Sequence, residues 1–301
     1  QSSAYGIYSL NTGTTIDSAG GFILRSDHVS SGLGLAISVS GQVVVEPYSS
    51  SLRDAPSATS FVADFVDSSD STGQRLRLMR EPGGIRIGSA SNSNLVTLNT
   101  SFTSAGDIEV IGGTIDVASN PEIISTGQSS KIILKARDWI DADNGSNAST
   151  RALLQTNDGD IVLWSDSDGD DTGWVYVGSY VTLDSGNGRS GNALQGGGRI
   201  TIAGGNEGVD QDGHPLGATS DSGTNTYALV FQSNSKLSSA GGNVTIRAAS
   251  DSNYETFHNN LNSTINSGTG QIRVAVSHRN LLTAYRTQGA SWMSAATVSP
   301  A

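Results

Sequence analysis

The sequence predicts an all-β chain folded as a right-handed parallel β-helix, a β-solenoid of short strands with lateral loop insertions. Composition is the first observation behind this prediction. Ser, Gly, Thr, Asp and Asn supply 151 of the 301 residues, and these residue types favour turns and weaken helix interiors. Ile and Val together number 40 against 21 Leu, which favours strands. A helical bundle, a coiled coil and a Rossmann-type domain are therefore disfavoured.

A repeated phrase is the second observation. A turn of small residues precedes an apolar-x-apolar strand at ten places, namely 20–24, 41–45, 83–87, 106–110, 112–117, 130–134, 159–163, 198–202, 242–246 and 270–274. A second short strand runs into several of these turns, as at 15–19, 236–240 and 264–267. The first turn glycines are Gly20, Gly41, Gly83 and Gly106. Their intervals are close to about 20 residues or to twice that length, which is typical of one solenoid coil per repeat.

Such short strands predict stacking because a strand of four residues cannot bury its apolar face alone. When coils stack, each strand pairs with its equivalents about 4.8 Å above and below, and the inward side chains form one column. A β-sandwich is the competing all-β interpretation, and it predicts longer strands without a period of about 20 residues. The period favours the solenoid.

The repeats predict a β-helix over residues 1–277, with about 12–14 coils at the spacing of stacked strands. Two stretches interrupt the repeats, so we expect lateral loop insertions near 46–75 and 204–226. Residues 278–301 leave the pattern and are expected to form an irregular C-terminal cap or linker.

The charge balance limits the classes of partner. The formal net charge of −11 argues against nucleic acid, because phosphate binding needs a basic face. The chain has no cysteine, so disulfides and thiol chemistry are excluded. No stretch approaches the length of a membrane span, and residues 1–5 lack the features of a signal peptide. A secreted protein is then expected to be represented here by a processed form or a fragment.

One ordered series of phrases carries a resemblance to a known family. The series comprises residues 131–136, 157–168, 173–178 and 196–205. This order resembles the repeat region of filamentous-haemagglutinin-like bacterial exoproteins of the two-partner-secretion type, closely over about 85–275 and loosely over the first 80 residues. The resemblance implies a right-handed parallel β-helix, export to the cell surface and an adhesive or scaffolding role. The amino-terminal secretion domain of that family is not recognisable in this chain.

These observations together predict a secreted, extracellular segment of a bacterial cell-surface protein with a structural or adhesive role. Open solenoid ends expose strand edges, so end-to-end assembly into filaments is part of the expectation. The expected partners are other copies of the chain, or glycans or proteins on host or neighbouring cells. A polysaccharide-active enzyme resembling pectate lyases or glycoside hydrolases, and a carbohydrate-binding module, are the alternatives.

An acidic run is the candidate metal site. Asp166, Asp168, Asp170 and Asp171 alternate with small residues, which resembles the start of a calcium loop because hard oxygen ligands suit that cation. Val177 stands where the twelfth position of an EF-hand loop requires an acidic ligand. A calcium site and a solvated acidic turn both fit this run.

Aromatic residues are the candidate ligand-binding face. Trp139 and Tyr180 flank Trp164, Trp174 and Tyr176 along the middle of the chain. If the last three face outwards on stacked coils, they form a strip suited to carbohydrate rings. Packing beneath a loop is the alternative.

Carboxylates and basic residues are the candidates for an enzyme, although we expect no catalytic site. Glycoside hydrolysis needs two carboxyl groups at a set separation, and Asp158/Asp160 and Asp170/Asp171 are the candidate pairs. Arg199 and Arg189 are the nearest basic residues for a lyase. The four histidines lack zinc-ligand spacing, and His214 is interpreted as a turn residue.

Overall fold

The computed structural model describes residues 6–7, 15–29, 35–54, 58–63, 65–67, 76–142, 151–187, 196–221, 227–250, 256–260, 262–278 and 296–298. Within these ranges the chain forms strands and contains no helix. The strands are β1 (Gly6–Ile7), β2 (Thr15–Ser18), β3 (Phe22–Arg25), β4 (His28–Val29), β5 (Leu35–Val39), β6 (Gln42–Glu46), β7 (Ser60–Ala63), β8 (Phe65–Asp67), β9 (Leu76–Leu78), β10 (Gly84–Gly88), β11 (Leu95–Leu98), β12 (Phe102–Ser104), β13 (Ile108–Gly112), β14 (Thr114–Val117), β15 (Glu122–Gln128), β16 (Ile132–Ala136), β17 (Ile140–Ala142), β18 (Leu153–Asn157), β19 (Ile161–Ser165), β20 (Val175–Val177), β21 (Thr182–Asp184), β22 (Ile200–Val209), β23 (Pro215–Gly217), β24 (Thr219–Asp221), β25 (Leu229–Phe231), β26 (Lys236–Ser238), β27 (Val244–Ser250), β28 (Phe257–Asn259), β29 (Thr264–Asn266), β30 (Ile272–His278) and β31 (Ala296–Val298).

The strands stack into a parallel β-helix, so the predicted fold class is confirmed. Sheet 1 follows the path β3-β6-β10-β13-β16-β19-β22-β27-β30-β31, sheet 2 the path β28-β25-β20-β17-β14-β11-β7, and sheet 3 the path β12-β15-β18-β21-β26-β29. Near the N-terminus a four-stranded sheet, β2-β5-β9-β8, supplies the strands that precede sheet 1. One coil of the solenoid therefore passes through sheet 3, sheet 1 and sheet 2 in turn, as in β15, β16 and β17.

Sheet 1 contains most copies of the repeated phrase. Nine of the ten copies lie on strands of this sheet, and the tenth, at 112–117, lies on β14 of sheet 2. In-register pairs such as Ile85 with Ile108 and Ile108 with Ile132 align the first apolar residue of each copy. The ten strands on the sheet 1 path are fewer than the 12–14 predicted coils, because the connections between some neighbouring strands take up extra residues.

The core is a continuous column of inward Ile, Val and Leu side chains. Ile85, Ile108, Ile132, Ile161 and Ile200 occupy one register position in successive coils and have no solvent exposure. On each strand, the residue that follows this isoleucine points outwards, because successive side chains of a strand alternate between its two faces. Outward positions are thus available for function on all three sheets.

A second inward column consists of hydroxyl groups at the corner between sheet 3 and sheet 1. The hydroxyls of Ser185 and Ser239 donate to the carbonyl oxygens of Gly198 and Gly242, at 2.6 and 2.5 Å. Equivalent hydroxyls in the other coils belong to Ser104, Ser125, Thr156 and Ser267. Each hydroxyl donates to a backbone carbonyl at the tight corner, where a buried carbonyl without a partner would be costly. The Pro82 carbonyl, which accepts from Ser104, also accepts from the Ala105 backbone N–H. This contact accounts for the recurrence of Ser or Thr at this corner of successive coils.

The glycines at this corner are required by close approach between coils. A Cβ at Gly198 would overlap the carbonyl oxygen of Gly159, and a Cβ at Gly270 would overlap that of Gly242. Neither Gly198 nor Gly270 has a positive φ, so the constraint is steric contact between backbones rather than an unusual conformation.

Both predicted insertions and the predicted tail contain strands. The stretch 46–75 includes β7 and β8, and 204–226 includes the outer half of β22, β23 and β24. β23 folds back antiparallel onto β22, pairing Pro215 with Val209. Sheet 1 continues beyond residue 277, because β31 pairs with β30. Among the described residues, no helix is long and apolar enough to cross a membrane.

Candidate functional site

An aromatic group lies on the outer face of sheet 2. Trp139 immediately precedes β17, Trp174 immediately precedes β20, and Tyr176 is the outward residue of β20. The register of these strands, which pairs Ile140 with Val175, places Trp174 one coil above Trp139. Their rings stack with centroids 5.4 Å apart and planes inclined by 14°, and Tyr176 meets Trp174 edge-on at 6.2 Å. We call Trp139, Trp174 and Tyr176 the aromatic ladder.

Trp164 is separate from the aromatic ladder. It is an outward residue of β19 in sheet 1, and its Nε1 donates to the carbonyl oxygen of Gly205 at 2.9 Å. Lys135 Nζ lies 3.7 Å from the centroid of its ring, an arrangement that favours a cation–π interaction. The structure therefore brings together two of the three predicted ligand-binding residues, Trp174 and Tyr176, and adds Trp139 to them.

Two carboxylates flank the aromatic ladder on the same sheet. Asp116 and Asp141 are the outward residues of β14 and β17, and they are paired in register on adjacent coils. Asp141 is in turn paired with Tyr176 on β20. Each aspartate stands between two apolar core residues, a pattern that marks an outward carboxylate on a strand. Sequence reasoning missed this pair because the two residues are far apart in the chain and meet only when the coils stack.

The predicted metal-binding run lies in the turn between β19 and β20. Carboxylate oxygens of Asp168 and Asp170 lie within 4.8 Å of each other and of an oxygen of Asp138. Asp138 belongs to the previous coil, so its contribution becomes visible only when the coils are stacked. Asp166 is almost completely buried beside this group, and its Oδ1 accepts from the backbone N–H of Asp171 at 3.1 Å. The donor set suits a hard cation such as calcium, and the calcium site stays a prediction.

The clustering of carboxylates shifts their proton affinities. Burial, together with the negative charges of Asp168 and Asp170, raises the pKa of Asp138, against the opposing effect of Arg137. Arg137 donates to Asp168 Oδ2 through Nε and Nη2, at 3.1 and 2.9 Å. Burial is also the main reason that the pKa of Asp166 is raised to about 7. The cluster therefore holds more negative charge than Arg137 balances.

The carboxylates predicted for catalysis have other partners in the structure. Asp170 accepts from the backbone N–H and the hydroxyl of Thr172, at 3.1 and 2.5 Å. The hydroxyl of Ser220 donates to Asp171 at 3.3 Å. Asp158 lies in the turn before β19 with a positive φ of 63°.

Asp160 and Arg199 belong to a network around a buried histidine. Asp160 Oδ1 accepts from the backbone N–H of Arg199 at 2.8 Å, and its Oδ2 lies 3.0 Å from His214 Nε2. His214 is only 1% exposed, so its interpretation as a simple turn residue was incomplete. Its sequence neighbours, Gly213 and Pro215, are typical of an exposed turn, so the sequence did not indicate that His214 is buried. Arg189, the other basic candidate, lies outside the described residues.

Comparison of the chain with protein-family models, with curated proteins and with solved structures gives no match.

Proposed function

We propose that the chain is a structural and adhesive β-solenoid segment of an exported bacterial surface protein, and that it contacts glycans through the aromatic ladder. The observation that carries this proposal is the stacking of Trp139 on Trp174, with Tyr176 edge-on, on an outward face of sheet 2. Aromatic rings in such positions offer flat apolar surface to sugar rings, while their N–H and O–H groups reach hydroxyls.

The remaining features support an adhesive role. The strands of each coil pair with those of the next, which gives a stiff body with outward positions at regular intervals. The net charge of −11 disfavours polyanionic partners, so neutral or amino-sugar glycans are the expected ligands. β3 is the outermost strand of sheet 1 among the described residues. An edge strand that is left open favours end-to-end association of copies, and electron microscopy of concentrated protein tests for such association.

Binding to immobilised glycans tests the role of the aromatic ladder. We expect wild-type protein to bind a subset of a panel of neutral, amino-sugar and acidic oligosaccharides. Trp174→Ala is expected to weaken this binding at least tenfold, or by about 1.4 kcal/mol. Trp164→Phe is the matched control, since Trp164 lies on sheet 1, and it is expected to bind as wild type does. Equal binding by Trp174→Ala and wild type would contradict the proposal.

A polysaccharide hydrolase is a second candidate, favoured by the in-register pair Asp116 and Asp141 beside the aromatic ladder. Neighbouring strands are about 4.8 Å apart, and retaining glycosidases hold their two carboxyl groups about 5–5.5 Å apart. Assay of the same glycans for new reducing ends tests this candidate. If wild-type protein releases reducing ends and Asp141→Asn does not, hydrolysis is established. If no glycan that binds yields reducing ends, adhesion is the function that is left.

A further inference from the structure

A hairpin covers part of the outer face of sheet 1. The outer half of β22 and β23 form this hairpin, which spans residues 204–217. Thr201 and Val162 are paired outward residues of sheet 1, yet they are 0% and 2% exposed. His214, at the end of the hairpin, covers Thr201, because His214 Nδ1 lies 2.6 Å from the Thr201 hydroxyl oxygen. The hairpin therefore buries a surface that an open sheet would expose.

Both ring nitrogens of His214 have partners. Arg199 Nε can only donate a hydrogen bond, and it donates to His214 Nδ1 at 3.1 Å. Arg199 Nε also lies 3.2 Å from the Thr201 hydroxyl oxygen. We assign Nδ1 as an acceptor without a proton and Nε2 as the donor to Asp160 Oδ2, at 3.0 Å. The closed hairpin thus contains a neutral imidazole with both nitrogens in use.

The charged groups around His214 come from several coils and balance one another. Lys131 Nζ lies 3.2 Å from Asp160 Oδ2, and Arg199 pairs with Asp210 and, at 3.8 Å, with Asp212. The hairpin itself is bound at two further points, where Lys131 donates to the Asp212 carbonyl and Arg247 donates to the Pro215 carbonyl. The set contains three cations and three anions, namely Lys131, Arg199, Arg247, Asp160, Asp210 and Asp212. Arg273 on β30 is the next cation along the sheet.

We propose that His214 is an acid-sensitive latch, and that its protonation releases the hairpin of residues 204–217 from the outer face of sheet 1. A proton on Nδ1 removes the acceptor that Arg199 uses and places a positive charge beside the guanidinium in a buried site. The charge balance of the network is lost at the same time, and Thr201 becomes exposed.

Asp160 and Asp210 stay charged between pH 5 and 8. Burial opposes ionisation of Asp160, but hydrogen bonds from His214, the Arg199 backbone and Lys131 outweigh it, so its pKa lies well below the usual range. For Asp210 the penalty of burial is outweighed by hydrogen bonds from Arg199 and from backbone N–H groups, which lower its pKa to about 2. Histidine is the side chain that ordinarily changes charge between pH 5 and 8.

One group near the hairpin also titrates in this interval and needs a control. The pKa of Asp166 is about 7, and the adjoining turn contacts the hairpin through Asn206 Nδ2, which donates to the Asp168 carbonyl at 2.9 Å. Asp166→Asn removes that titration and leaves the His214 contacts intact.

Hydrogen exchange of the full chain at pH 7.5 and pH 5.5 tests the latch. After correction for intrinsic exchange rates, we expect amides of 204–217 in wild type to exchange up to about tenfold faster at pH 5.5. A proton taken up only by the open state, on a histidine with an ordinary pKa of about 6.5, raises the open population about tenfold between these two pH values. His214→Gln is expected to exchange within twofold at the two pH values. Asp166→Asn and His258→Gln are expected to retain the wild-type response.

Several outcomes would overturn the latch. These are equal protection of wild type at the two pH values, a tenfold response that persists in His214→Gln, and a response that disappears in Asp166→Asn. If the hairpin of His214→Gln loses protection at both pH values, that variant does not test the latch, and an NMR titration of the His214 ring in wild-type protein is used instead. Proton uptake that does not coincide with loss of protection in 204–217 then overturns the proposal, and coincidence supports it.

Discussion

Asp166 has an unusually high pKa for an aspartate in a turn. Burial raises its pKa to about 7, and the charges of Asp170, Asp171 and Asp168 add to this effect, while the backbone N–H of Asp171 opposes it. A carboxyl group whose pKa is higher in the folded than in the unfolded state lowers the free energy of unfolding as pH rises between the two values. The charged form of Asp166 therefore destabilises the fold at neutral and alkaline pH.

Asp166→Asn is expected to raise the free energy of unfolding by about 1–2 kcal/mol at pH 8, after allowance for solvent screening around the exposed carboxylates. The amide oxygen of the new side chain would still accept from the Asp171 backbone N–H. The gain should shrink as pH falls from 7 towards 4, because the wild-type carboxyl becomes neutral. Urea denaturation at several pH values measures it. Asp170→Asn, which removes a neighbouring charge, should also stabilise the protein at pH 8, and a pH-independent effect of Asp166→Asn would contradict the explanation.

The positions of single residues were predictable where they depend on local sequence, and were not where they depend on stacking. The acidic turn at 166–171 was visible because its members are adjacent. Asp138 was not, since it joins Asp168 and Asp170 only through the neighbouring coil. His214 was missed for the same reason, because its partner Asp160 is 54 residues away.

At the scale of the strand and its turn, the sequence pattern is a good guide because one contact recurs from coil to coil. At Gly198, Gly242 and Gly270 the glycine before a sheet 1 strand lies against the backbone of the neighbouring coil, and the preceding hydroxyl closes the corner. These constraints leave small residues as the only choice, so the phrase is easily recognised. Strands of sheet 2 lack such a marker, apart from β14, and most were not located from the sequence.

Gly198→Ala is expected to be severely destabilising, by about 3 kcal/mol or more, because the new methyl group would overlap the carbonyl of Gly159. The neighbouring coils cannot separate without breaking their ladder hydrogen bonds. Gly20→Ala is the matched control, since its Cβ would meet nothing closer than 3.5 Å. Thermal denaturation of both variants provides the measurement. A stable Gly198→Ala protein would show that the corner is less tightly packed than described.

The whole molecule is an array in which each coil contacts its neighbours, so coils should be removable as units. Deletion of residues 108–131 joins Asp107 directly to Ile132, which occupies the same register position as Ile108. The deletion removes β13, β14 and β15 together, and it lets β10, β11 and β12 pair with β16, β17 and β18 in the existing register.

We expect the chain without residues 108–131 to fold with a strand-rich circular dichroism spectrum and a cooperative thermal transition. Deletion of 108–119, half of that coil, is the control and should prevent folding, because it would place a sheet 3 strand in sheet 1. Failure of the full-coil deletion, or equal stability of the two, would contradict nearest-neighbour stacking.

The fold class was predictable at this scale because a repeat of about 20 residues has few structural solutions. The number of coils was not, because a sequence does not reveal how many residues leave the solenoid between two strands. On sheet 1, Phe22 pairs with Val43, whereas Ile200 pairs with Val244. The second of these coils therefore contains about twice as many residues as the first.

That spread in coil length has a consequence for how such a protein can change over generations. Extra residues enter at corners on the surface, where they leave the alignment of paired strands intact. Duplication of a single coil would lengthen the molecule without altering its interior. Inserted surface segments can diverge without disturbing the column of Ile and Val, whereas the glycines of the corner between sheet 3 and sheet 1 cannot. The surface segments of such a protein can therefore change while its core stays the same.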